Sequence, residues 1–581
     1  MTEGFWQRKV SRRRLLGGAA SAVAVGGGTA LMLPWRRSPA GAGSPSSAPV
    51  VAEDVVHSPS QLAQGDLRAL KWSSAQGAPV LRAAAASVEG TLTSPIARTN
   101  IAPTHVGIHW KGEGDPQALS FEIRSSSNGS DWSPWQPLWI EATPEENPRG
   151  ETFLALASVD RARYLQYRAR FDPSSASPPV LNRVVITAID VSSSPEYSIA
   201  ALRTRTPTPT TRAPATSSEA WKLEAPFDAE QLLSREEWGA YDGYRFDRYG
   251  TEVWPRMYVP TKKIVVHHTA TLATGTQDPN YPYPVYTPDQ AVQDVRAIYY
   301  YHAITRGWGD IGYNALIDRF GRVYEGRRGR DSGIGDGREI ISPDVVAGHA
   351  YNVNEGSAGV SLIGNFDVNA FGTTEEQNMV KALIDFLVWS CRRHYIFPTE
   401  RSDFLMVNYG KVVNMPNIAG HCECGQTACP GRYAYARLPE WRETVASEIA
   451  SQAKVPPLAQ ITRVPTAAEI ESGSVSFTWK PYEASSAVFS YYLEGWVPNL
   501  DTDEVYYISG FTSDKRPDWS AFSSDTSATF RLTKPGRYTF HVRAKDPRTG
   551  NEGAFESNHT FVSSVTPPTK RIIGVPGVTK N

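Results

Sequence analysis

The chain is poor in sulfur, with four cysteines and six methionines among 581 residues. So few cysteines exclude a small disulfide-stapled scaffold, and the length calls for three or four separate cores instead. Charge of one sign is also lacking. There are 59 Lys and Arg against 60 Asp and Glu, a formal net charge of −1. That balance disfavours nucleic acid or an anionic membrane as the partner. Beyond the first 42 residues no apolar run is long enough to span a bilayer. What the chain does have is aromatic and turn-forming residues: 16 Trp, 26 Tyr and 43 Pro.

Positive charge is concentrated at the N-terminus. Residues 1–42 hold seven Lys and Arg (Arg8, Lys9, Arg12, Arg13, Arg14, Arg36, Arg37) and one acid, Glu3. That local excess of six over a chain total of −1 leaves −7 for the remainder. Ser11-Arg12-Arg13-Arg14-Leu15-Leu16 resembles the twin-arginine signature and precedes a Gly/Ala-rich, weakly apolar stretch from Gly17 to Leu33. Ala40-Gly41-Ala42 then supplies a cleavage site of small residues. The expectation is an exported protein, extracellular or associated with the cell wall, with no stable membrane association once residues 1–42 are removed. The alternative is an N-terminal stretch retained as a membrane anchor.

Further along, residues 43–65 are Ala/Pro/Ser-rich and read as a flexible spacer. Over 66–195 the chain alternates apolar and polar residues, as in Leu119-Ser-Phe-Glu-Ile-Arg124 and Tyr164-Leu-Gln-Tyr-Arg-Ala-Arg-Phe171. Such period-two runs between Asn-Gly, Pro and Ser turns predict an N-terminal β-sandwich. Its Trp132 and Trp135 lie in a loop of the kind found in carbohydrate-binding and discoidin-like sandwiches, and are read as ordinary core. Residues 196–225 are a Pro/Thr-rich linker. Residues 226–455 mix β-branched strands (263–267, 313–318, 322–325, 358–364) with two capped helices, and so predict a central α/β domain with helices packed on a mixed sheet. One helix follows Thr287-Pro288-Asp289-Gln290; the other follows Thr373, paired with Glu376. Strand patterns return over 456–566, where Gly536-to-Asp546 resembles the late strand of a fibronectin type III or immunoglobulin-like sandwich. Residues 567–581 read as a tail.

Two segments carry the chemistry. Ile264-Val265-Val266-His267-His268-Thr269 reads as a buried strand ending on a histidine. His421-Cys422-Glu423-Cys424-Gly425-Gln426-Thr427-Ala428-Cys429-Pro430-Gly431 puts a His and a Cys eight residues apart in a loop. Two imidazoles and one thiolate are a natural zinc set, and three protein ligands leave a fourth position open. His268 faces the other side of the strand and reads as structural. A competing reading closes a structural knuckle from His421, Cys422, Cys424 and Cys429.

Between these segments run Arg306-Gly-Trp-Gly-Asp-Ile-Gly-Tyr-Asn314, Gly321-Arg-Val-Tyr-Glu-Gly-Arg327, Ala347-Gly-His-Ala350 and Gly359-Val-Ser-Leu-Ile-Gly-Asn-Phe366. Ser234-Arg-Glu-Glu-Trp-Gly-Ala240 opens the series. Together, over roughly 230 to 450, they resemble the peptidoglycan recognition protein family, which includes zinc amidases of the phage lysozyme type. The resemblance implies one Zn2+ on His267, His421 and Cys429, and peptidoglycan (glycan strand plus stem peptide) as partner. It also implies hydrolysis of the amide between N-acetylmuramic acid and L-alanine. Tyr313 and Thr427 fall at catalytic positions, and His349, Trp308, Asn365 and Arg327 at substrate-binding ones. No carboxylate is assigned as general base, since Glu325 lies in a strand motif that is widely structural in the family. If Cys429 binds zinc, a disulfide from Cys391 to Cys422 or Cys424 is expected. The alternative function is a non-catalytic peptidoglycan-binding module on the same fold. Two loops depart from the family pattern, Ala273-to-Thr287 and Asp331-to-Asp344.

Overall fold

The computed structural model describes residues 50–192, 231–271, 286–329, 345–452, 458–497 and 520–563, with Ile341 and Glu504–Tyr507, apart from short stretches inside these runs. The expected signal, nearly all of the Pro/Thr-rich linker, the tail and most of both departing loops lie outside the described residues. Those described form a multidomain, largely β protein. Among them no helix is long and apolar enough to cross a membrane.

Residues 51–190 build two antiparallel sheets, of eight and six strands. Alternation decides which side chains face inward: along Tyr164–Phe171, Leu165, Tyr167, Ala169 and Phe171 are buried and the residues between them are half-buried. Both sheets contribute to one apolar cluster. The expected spacer needs correction, because Val51–His57 is a strand paired along its whole length with Val184–Asp190. It escaped the pattern because most of it stays partly exposed, as an outlying strand allows. Trp132 and Trp135 are not plain core either. Both are half-buried, with the Arg124 guanidinium 4.6 and 4.5 Å from their ring centres.

The central domain is a mixed sheet of Leu232–Leu233 (β1), Lys263–His268 (β2), Ala315–Ile317 (β3), Val323–Glu325 (β4), Ser357–Leu362 (β5) and Ile418–Gly420 (β6). Its order is β1-β4-β3-β5-β2-β6, and only β3–β4 is antiparallel. Every residue of β2 and β5 is buried, which is why these strands read as continuous rather than alternating runs. Its helices are Pro288–Tyr300 (α1), Thr374–His394 (α2) and Arg432–Gln452 (α3). α1 starts in the expected capping box: Thr287 Oγ1 accepts from the Gln290 N–H and the Gln290 side chain accepts from the Thr287 N–H. Before α2, Glu376 accepts from the Thr373 N–H at 2.9 Å.

α2 and α3 cover one face of the sheet, where Leu383, Leu387, Trp441 and Val445 meet Ile264, Val266, Val360 and Leu362. α1 covers the other. There Val295, Ile298, Leu316 and Tyr324 share a core with Phe153, Leu156, Ile189 and Val191 of the N-terminal region. Polar contacts fix that docking: His105 Nε2 lies 2.8 Å from Asp294 Oδ1, and the Tyr301 hydroxyl donates to the Leu154 carbonyl at 3.1 Å. Gly107 is small because the Tyr301 ring lies against it; a Cβ there would fall 2.3 Å from the ring.

Residues 458–563 form a three-stranded and a four-stranded antiparallel sheet around Phe477, Trp479 and Phe540. This region is tied to the central domain by Lys262, whose Nζ sits 2.9 Å from Glu494 Oε1, both side chains less than a tenth exposed. Burial alone would raise the Glu494 carboxyl, but Lys262 and His541 pull it down to about 2. Its contribution is therefore present above the ordinary value of 4.5 and is lost as pH falls from there toward 2. Glu494→Gln leaves Lys262 buried without its counter-charge and should cost about 3–5 kcal/mol near neutrality. Urea melts from pH 7 to 3 check this: the difference between wild type and variant should shrink in the acid range.

Candidate metal centre

Strand pairing brings the two histidines together. β2 and β6 run parallel with Val266 opposite Gly420, so the next residues, His267 and His421, leave the sheet side by side. Their ring centres are 4.5 Å apart. The loop after β6 then folds back: Cys422 N–H donates to the Cys429 carbonyl at 2.7 Å, and Glu423 accepts from Gly420 N–H while pairing with Arg442 at 2.8 Å. Gly431, at φ 89°, turns the chain against the backbone of Phe366, where a Cβ would lie 2.4 Å from a carbonyl carbon.

One donor atom from each of His267, His421 and Cys429 lies within 4.8 Å of the others. Cys429 Sγ stands 3.6 Å from His267 Nδ1. Two ligands on one tetrahedral zinc, with bonds of about 2.1 and 2.3 Å, are roughly 3.6 Å apart, so the geometry fits such an ion. Burial holds His421 down to about 4 and His267 well below its ordinary value, which keeps both imidazoles neutral and available as donors. Burial also pushes the Cys429 thiol well up, so a thiolate there needs a neighbouring cation.

His267 is held from behind. Its Nε2 lies 3.0 Å from His349 Nδ1, and His349 Nε2 lies 3.3 Å from Ser357 Oγ. With Nδ1 of His267 turned to Cys429, this network assigns the proton to Nε2, which donates to His349. Gly359 makes room: a Cβ there would be 2.3 Å from the His349 ring. His268 points the other way and accepts from the Phe366 N–H at 3.2 Å.

Of the residues expected to act on substrate, Tyr313 and Thr427 border the donor cluster. The Tyr313 ring lies 5.5 Å from that of His267, and Thr427 Oγ1 accepts from the Cys429 N–H at 3.1 Å. The expected substrate contacts are mostly enclosed. His349 is 6% exposed and engaged with His267. Arg327, 1% exposed, pairs with Asp310 at 2.9 Å and stacks 3.9 Å above Trp254. Asn365 is fully buried, its Oδ1 accepting from the Asp367 N–H. Only Trp308 keeps partial exposure. Glu325 is structural, accepting from the Arg235 N–H at 2.8 Å.

The cysteines correct two expectations. All four are free thiols, so no bridge leaves Cys391, which is buried in the α2 face among core side chains. Cys422 and Cys424 stand outside the donor cluster, contrary to the closed knuckle.

One neighbour of Tyr313 escaped the sequence altogether. Glu141, from the short strand Ile140–Ala142 of the N-terminal region, hydrogen-bonds to the Tyr313 side chain. Its other contacts are His302 Nε2 at 2.9 Å and Arg306 at 2.5 Å. Burial opposes its charge, but Arg306, His302 and Tyr313 hold the carboxyl below its usual value. Burial and then that charge keep the Tyr313 phenol protonated. Nothing in the local pattern around Glu141 marks it, since its partners come from another domain.

Comparison with known proteins covers this region of the chain. Residues 257–432 match the N-acetylmuramoyl-L-alanine amidase family model. A short peptidoglycan-recognition protein of Drosophila simulans is 31% identical over 187 residues, 32% of this chain and 78% of that protein. Bovine peptidoglycan recognition protein 1 is 26% identical over 219 residues, 38% of this chain and 88% of that one. Among solved structures, wild-type Drosophila PGRP-LB covers 36% of this chain and 93% of its own at 23% identity, with a TM-score of 0.25. The chain belongs to the peptidoglycan recognition protein family.

Proposed function

We propose that this protein is a zinc-dependent N-acetylmuramoyl-L-alanine amidase, hydrolysing the bond between N-acetylmuramic acid and L-alanine in peptidoglycan. The observation that carries this reading is the convergence of His267, His421 and Cys429 donors within 4.8 Å. Family membership and the match to the amidase family model support it. In this reading zinc on those three residues supplies Lewis acidity to the scissile carbonyl and lowers the pKa of water toward ~7. The chain's own residues orient the reactants. Tyr313, beside His267, lines up the attacking water, and the Thr427 hydroxyl hydrogen remains to donate toward developing oxyanion charge. His349 keeps the His267 ring in its ligating orientation.

The proposal extends to the rest of the chain: export by a twin-arginine route to the cell wall or medium, an N-terminal β-sandwich, and a C-terminal fibronectin- or immunoglobulin-like sandwich. Supporting the last two are paired sheets around single apolar clusters.

Metal analysis with product analysis on purified peptidoglycan tests the reading. One zinc per chain and peptides released with a free N-terminal alanine are expected. Zinc without cleavage would instead favour a non-catalytic binding module, and no zinc would overturn both the metal and the mechanism. Cys429→Ala should lose zinc and hydrolysis together, as judged by metal stoichiometry after dialysis. Tyr313→Phe should retain zinc while kcat falls about 10²-fold in the same assay. His349→Ala should weaken zinc affinity by about 10–100-fold without removing a ligand, measurable by competition with a chromogenic chelator.

A further inference from the structure

The N-terminal region does more than flank the site. Ile140–Ala142 pairs with Thr152–Leu154 through a register shift between Ile140 and Ala142, so Glu141 is the bulged residue. A bulge re-aims a side chain out of the strand's regular alternation. Here Glu141 enters the central domain, with only 14% of its side chain exposed. It is received by a π turn, Tyr301–Thr305, that extends α1. His302, in that turn, accepts the Gly312 N–H on Nδ1 at 3.1 Å, which leaves Nε2 to donate to Glu141 at 2.9 Å. Arg306 follows the turn, pairs with the same carboxylate at 2.5 Å, and stacks on Phe153 of the N-terminal region. The Tyr313 hydroxyl is the third group bonded to Glu141.

We propose that Glu141, supplied by the N-terminal domain, is a positioning residue of the amidase site, and that it fixes the Tyr313 hydroxyl so that Tyr313 serves as an acceptor. A phenol has one proton, and an ionised carboxylate only accepts. The Tyr313 proton is therefore committed to Glu141, and the lone pairs of its oxygen are left for a water hydrogen. Tyr313 then orients the nucleophile rather than donating to the oxyanion. The inference rests on the amidase reading and adds that the site is assembled from two domains.

The test uses the full chain with Glu141→Gln, which keeps the side-chain shape. Zinc content should stay at the wild-type level, KM on purified peptidoglycan should change little, and kcat should fall roughly 10–100-fold, the usual cost of disturbing a supporting residue. Glu151→Gln, a neighbouring acid bonded to His109 in the same domain, should leave kcat unchanged. Adding Glu141→Gln to Tyr313→Phe should cost less than about threefold more, because both remove one interaction. Tyrosine labelled with carbon-13 at Cζ gives an independent readout: the Tyr313 resonance should shift in Glu141→Gln and not in Glu151→Gln. Unchanged kcat, multiplying losses in the double variant, or an unmoved resonance would each overturn the proposal. A zinc-loaded wild type that cuts nothing would overturn the amidase reading instead, and the resonance would still decide whether Glu141 holds the hydroxyl.

Discussion

The site depends on one pairing, the parallel contact of Lys263–His268 with Ile418–Gly420. Because Val266 faces Gly420, the two histidines that follow emerge at the same sheet edge and on neighbouring strands. A slip of one residue would turn His267 to the opposite face, where His268 now accepts a backbone N–H. Register is protected by burial: every side chain of the first strand is enclosed, so each shifted alternative would put a polar group into an apolar layer. Helices on one face and the N-terminal region on the other provide those layers.

Around that pairing the supporting structure is built for fixed ring orientation. His349 meets His267, Ser357 meets His349, and Gly359 clears space for the imidazole. The loop carrying Cys429 is braced by its own backbone and by Glu423 and Arg442. Each contact restricts a donor that otherwise would sample several rotamers, so little ordering remains when a ligand binds. The N-terminal region extends the same logic. Its Phe153, Gly107 and Glu141 fit the turn after α1, so that turn, Arg306 and Tyr313 are held by residues from a different part of the chain.

Much of the central fold was legible because its signals are local. Thr287, Pro288 and Gln290 mark a helix start within four residues, and the β-branched run before His267 marks a buried strand. The two N-terminal sheets were readable from alternation, except at Val51–His57, whose partial exposure hides its period. Misreadings came where chemistry suggested a role that burial then decided. His349, Arg327 and Asn365 sit in motifs compatible with a groove, yet a guanidinium sandwiched between Asp310 and Trp254 serves the interior. Cys391 looked available for a bridge until the apolar face of its helix claimed it. Composition cannot separate these outcomes, because the same polar atom serves a ligand or a neighbour equally well.

By itself the sequence determined the types of donor at the candidate metal centre, the strands and capped helices that carry them, and the β character of both flanking regions. These follow from periodicity, capping chemistry and spacing, which act over a few residues. Tertiary structure alone decided that His349 backs His267, that the thiols stay unbridged, and that Glu141 reaches Tyr313 from another domain. Those outcomes depend on which distant surfaces close on one another. A carboxylate on a three-residue strand has no local pattern to announce its target, because the partners that hold it are assembled only when the two cores dock.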